Sequence, residues 1–103
     1  MTIELGGNIQ LVGFKEIDRG SLIIVKKIVG NYVKQFAAKD PKFQRFSLTL
    51  KIIHPHDEGG EKIGKHELHA KLSGEREHNA EIVDYNLMFA IDKVMKKIEN
   101  SMA

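Results

Sequence analysis

The chain has 103 residues, 42% hydrophobic and 29% charged, which is enough for one domain with a core and too few for two. It contains no cysteine, which excludes a disulfide framework and a thiolate metal site and fits a reducing, cytoplasmic setting. Its formal net charge is only +2, but residues 21–54 carry seven Lys or Arg against the single acid Asp40, whereas residues 55–84 carry eight acids against four bases. Such a distribution permits one basic face and a polyanionic partner.

Met1 to Phe14 alternates and is interrupted by glycines, where a targeting segment would show a basic start and an apolar block. The longest apolar run, Leu22 to Val25, is far short of a membrane span, so no membrane partner is expected. A single domain over residues 1–103 follows.

Thr2 to Leu5 alternates, with Ile3 and Leu5 on one side. Gly6-Gly7-Asn8 then predicts a break or bulge in one strand that resumes through Ile9 to Val12. Asp18 and Ser21 are both credible caps for a helix whose apolar stripe is Leu22, Val25, Ile28, Val29, Tyr32, Val33 and Phe36. Lys27, Asn31, Lys34 and Ala38 fall on its opposite face. Gly30 costs a helix about 1 kcal/mol relative to alanine, which predicts close approach by a neighbouring element. Asp40-Pro41 ends the helix, because the residue before proline is pushed out of helical conformation.

Phe46, Leu48, Leu50 and Ile52 then alternate with Arg45, Ser47, Thr49 and Lys51, the pattern of a strand with one face on a core. Ile53 is the exposed exception. His54 to Gly60 reads as a polar turn or loop. Leu68, Ala70 and Leu72 alternate with Glu67, His69 and Lys71, and Ser73 to Arg76 makes a hairpin connection to a last strand, His78 to Val83. A final helix from about Tyr85 to Asn100, capped by Asp84 or Asn86, buries Leu87, Ala90, Ile91, Val94 and Ile98. Phe89, Lys93, Lys96 and Asn100 lie on its far side, bordered by Lys97. The expected fold is α+β, in the order β-α-β-β-β-α: a four-stranded sheet with two helices on one face and the other face partly open.

Five histidines invite a metal test, but His66 and His69, three apart on a strand, face opposite sides, and His54, His56, Asp57 and Glu58 match no metal-ligand spacing. There is no serine elbow, phosphate-binding loop or dinucleotide fingerprint. A non-enzymatic protein without metal or cofactor is therefore expected. Nucleic acid is the strongest chemical possibility. Lys27 and Lys34 on one helix and Lys93, Lys96 and Lys97 on the other, if the helices lie side by side, would meet several backbone phosphates. Outward Phe89 would stack on an unpaired base or contact a protein. The alternative is a small protein-interaction module, a monomer or a homodimer.

Three strings carry a family resemblance. Ile3-Glu4-Leu5-Gly6-Gly7-Asn8-Ile9, Glu67-Leu68-His69-Ala70 and Asn86-Leu87-Met88-Phe89-Ala90-Ile91-Asp92, the last followed by Val94, Lys97, Ile98 and Glu99, resemble the ribosome hibernation-promoting and ribosome-associated inhibitor family in a short, single-domain form. The likeness spans roughly residues 2–100. It implies a shape related to double-stranded-RNA-binding domains and a role on the small ribosomal subunit, in the messenger and transfer RNA channel, inhibiting translation or protecting idle ribosomes under stress. Ribosomal RNA, not DNA, is then the expected partner. The RNA-facing role falls to Lys27, Lys34, Lys93, Lys96 and Lys97, with Lys26 and Arg45 at the edges.

Overall fold

A computed structural model describes residues 2–6, 8–53 and 64–103; the expected His54–Gly60 turn lies outside them. Among the described residues the order is β1 (Thr2–Leu5), β2 (Ile9–Val12), α1 (Arg19–Lys39), β3 (Arg45–Ile53), β4 (Lys65–Ser73), β5 (Glu77–Asp84) and α2 (Leu87–Met102). The strands form one open mixed sheet in chain order, β1-β2-β3-β4-β5. Every neighbouring pair is antiparallel except β2 and β3, which run parallel with α1 as the crossover between them. Both helices pack on the same side.

The α+β class with two helices holds, but the sheet has five strands among the described residues where four were expected. The difference arises at Gly6. Its φ of 71° turns the chain back, so the N-terminal segment pairs with itself, Thr2 opposite Val12 and Leu5 opposite Ile9. A bulged strand and a hairpin share the same alternation, and only the backbone turn separates them.

Gly13 is the other glycine in a left-handed conformation among the described residues, at φ 84°, and a Cβ there would collide with the carbonyl oxygen of Leu50. Gly30 does not fill the role predicted for it: a Cβ added to it meets nothing within 4 Å. It faces open space on the flank of α1, and no neighbouring backbone among the described residues demands its small size.

The core is one cluster in which Leu11, Phe46, Leu48, Leu50, Leu68, Ala70 and Leu72 from the sheet meet Val25, Val29, Val33 and Phe36 of α1 and Ala90, Ile91, Val94, Met95 and Ile98 of α2. The Phe36 and Phe46 rings lie 6.2 Å apart and join α1 to β3. Asp18 caps α1 by accepting the Ser21 backbone N–H at 3.0 Å, and Asn86 caps α2 by accepting that of Phe89 at 3.0 Å. Asp40, nearly buried, ends α1 and ties it to the β4–β5 turn. Its carboxylate accepts the backbone N–H groups of Lys42 at 2.9 Å and Glu75 at 3.0 Å.

Candidate nucleic-acid interface

On α1 the core takes Val25, Val29, Val33 and Phe36, so helical geometry sends Lys27 and Lys34 outward, and both are exposed. Lys26, one position earlier, is partly buried on the flank. None of these three ammonium groups has a carboxylate or hydrogen-bond partner among the described residues. Lys34 also borders a groove of about 380 Å³, where Gly30 and Ala37 of α1 face Asn8, Ile9 and Phe43.

The outward lysines of α2 are in a different state. Lys93 Nζ donates to Asp84 Oδ2 at 2.8 Å, and Lys97 Nζ to the backbone carbonyl of Glu81 at 3.1 Å. Ser101 lies 2.7 Å from His78 Nδ1. Positions 93, 97 and 101 form one stripe along α2, and all three bind β5, the edge strand of the sheet. Lys97 thereby occupies a carbonyl on a strand edge that would otherwise be open to pairing. Lys96 forms an ion pair with Asp92 one turn earlier, at 3.1 Å.

The sequence predicts one basic surface from these five lysines. The helices do lie side by side, but only α1 presents lysines without partners among the described residues. Between the helices Tyr32 of α1 donates its hydroxyl to Asp92 Oδ1 of α2 at 3.0 Å, so the seam itself is carboxylate-lined. Asp84 is held below the usual carboxylate range, first by its hydrogen bond from Lys93 and then by the Asn86 backbone N–H. Asp92 is also lowered, first by Lys96 and then by the Tyr32 hydroxyl. Burial, followed by the bond to Asp92, raises Tyr32.

Phe89 is 63% exposed on the outward side of α2, as its helical position predicts. Arg45, by contrast, points from β3 into the row opposite the helices, paired across strands with Ser73. It belongs to the open sheet face and not to the helix surface. His66 and His69 face opposite sides of β4: His66 Nδ1–H donates to the Tyr85 carbonyl at 2.9 Å, while His69 sits 3.3 Å from Glu81. Among the described residues no three histidines or carboxylates converge on a common point. His54, His56, Asp57 and Glu58 lie outside those residues.

Comparison with known proteins finds no matching family and no curated relative. No helix among the described residues is long and apolar enough to cross a membrane.

Sequence pattern alone does not predict the partners that redirect Lys93, Lys96 and Lys97, with one exception: Asp92 and Lys96 stand four apart on a helix, a spacing that brings side chains together. Asp84 and Glu81 could be found only by knowing that α2 lies along β5.

Proposed function

We propose that the protein is a non-enzymatic RNA-binding protein that docks through the outward face of α1. In this reading Lys27 and Lys34 meet backbone phosphates, Lys26 and Lys96 add charge at the margins, and Phe89 stacks on an unpaired base. The observation that carries it is the α1 lysine face, which lacks carboxylate partners among the described residues. Those ammonium groups meet phosphate without first breaking an ion pair.

The target we propose is the small ribosomal subunit and its RNA, in the cytoplasm, with the domain occupying the messenger and transfer RNA channel of idle ribosomes. The strings near residues 3–9, 67–70 and 86–92 support this target, as does the β-α-β-β-β-α order that remains when β1 is set aside as an added edge strand. That order also supports a kinship in shape with double-stranded-RNA-binding domains. Co-sedimentation of purified protein with small subunits at low and moderate salt tests the proposal. Binding that weakens with salt and is lost on Lys27→Glu with Lys34→Glu is expected; a protein that stays at the top of the gradient at low salt refutes it.

A second reading, a protein-interaction module, is favoured by Ile53, Val83 and Tyr85, exposed together at one end of the open sheet face. Concentration-dependent self-association that Val83→Ser or Tyr85→Ser abolishes, with RNA binding absent, would select it.

A further inference from the structure

The open face of the sheet carries a second cationic cluster, on the side opposite the helices. In register, Gln10 of β2, Ser47 of β3 and Lys71 of β4 form one row across three strands, and Arg45 and Ser73 form the next. Their side chains line a depression of about 210 Å³. Each of the five can donate a hydrogen bond, two are cations, and no carboxylate among the described residues lines the depression.

We propose that this depression binds a phosphate group. Arginine offers two parallel N–H donors to two oxygens of one phosphate, and lysine adds a mobile point charge. The two hydroxyls and the amide approach from neighbouring strands, so oxygens outside the arginine fork also find donors. A planar carboxylate engaged by Arg45 would leave those donors unused, and a tetrahedral oxyanion uses them. The opposing charge is Glu77, whose carboxylate lies 3.6 Å from Lys71 Nζ, with both side chains about half exposed or more. An exposed pair of this kind contributes little to stability, so phosphate displaces it readily. Glu4, across from Gln10 in the β1–β2 register, stands at the rim.

The same phosphate chemistry comes from an RNA backbone or from a small phosphorylated molecule. The site shares no residue with the α1 lysine face, so it stands or falls separately from RNA binding there. The test is to titrate the whole protein, by nitrogen-resolved NMR at constant ionic strength, with inorganic phosphate, a nucleoside 5′-monophosphate and a short single-stranded oligoribonucleotide. Saturable shifts confined to the amides of residues 10, 45–47 and 71–73 are expected. Arg45→Gln should weaken binding about tenfold without moving the rest of the spectrum. Glu77→Gln should tighten it about twofold to threefold by releasing Lys71. Tightest binding by the monophosphate assigns a small ligand, and tightest binding by the oligonucleotide through these same amides assigns an RNA backbone. No localised shift with any of the three, or shifts that Arg45→Gln and Glu77→Gln leave unchanged, overturns the proposal.

Discussion

On α1, Lys27 and Lys34 stand off the sheet without a partner among the described residues; on α2, Lys93 and Lys97 bend toward β5, one onto the Asp84 carboxylate and the other onto the Glu81 carbonyl. The two helices resemble each other in sequence, each with an apolar stripe and a lysine-bearing back. What separates them is the strand beneath. Helix α2 runs along an edge strand that offers an acid and free backbone acceptors, whereas α1 crosses between two interior strands, β2 and β3. An outward lysine is therefore available to a polyanion only where neither the sheet below nor its own helix offers it a partner, as Asp92 does for Lys96.

The largest effect should come from setting the two lysine groups against each other. Lys27→Glu with Lys34→Glu should lower RNA affinity at least tenfold at low salt and reduce the slope of log affinity against log salt by roughly one to two. Lys93→Gln with Lys97→Gln should change affinity by less than about threefold, because those groups already have partners. Filter binding over a salt series measures both. Equal losses in the two double variants would break the distinction.

Next in size is the seam where the helices meet. Tyr32→Phe removes the hydroxyl that binds Asp92 and should cost about 1 kcal/mol of stability, read by chemical denaturation, with RNA binding unchanged. Alkaline pH should act in the same direction. The Tyr32 pKa is raised in the folded protein, so its bond contributes fully below about pH 10 and is lost as pH rises through the folded value. If Tyr32→Phe weakens RNA binding as strongly as the Lys27→Glu, Lys34→Glu pair, the seam and not the outer face is the binding surface.

Smaller, and opposite in sign, is Gly30→Ala on α1. A Cβ there meets nothing within 4 Å, and the glycine has ordinary helical φ, so alanine should stabilise the protein by about 0.5–1 kcal/mol in the same denaturation experiment. Destabilisation would mean that the groove beside Lys34 closes on residue 30 in solution.

Gly30 also marks where sequence reading stops. Period-two and helical alternation are one-dimensional signals, and they place Phe46 to Ile52, Leu68 to Leu72 and both helical stripes on the correct faces, because burying one face leaves a residue no choice of side. A glycine in a helix carries no such signal: close packing and open space both tolerate it. The same limit hides the β1–β2 reversal at Gly6 and the cluster of Gln10, Ser47, Lys71 and Ser73, whose members come together only through the registers of three strands. For Lys93 and Lys97 the directions were legible and the partners were not, since Asp84 and Glu81 reach them only after β5 is set beneath α2.

The finest test separates the lysines one at a time. Asp84 and Asp92 both titrate below the ordinary aspartate value of 3.8, so their contribution to stability is complete above about pH 4 and is lost as pH falls through the lower folded values. Because the lysine of each pair is exposed, the loss of stability should be slight, and the titration itself is the better observable. Carbon-detected NMR of the two carboxylates should show Asp84 moving back toward 3.8 in Lys93→Gln and Asp92 doing so in Lys96→Gln. Lys27→Gln should move neither, because no carboxylate among the described residues depends on it. A shift of Asp92 in Lys27→Gln would place the α1 lysine within reach of the seam, and the contrast between a committed α2 and an available α1 would then give way to one shared electrostatic network.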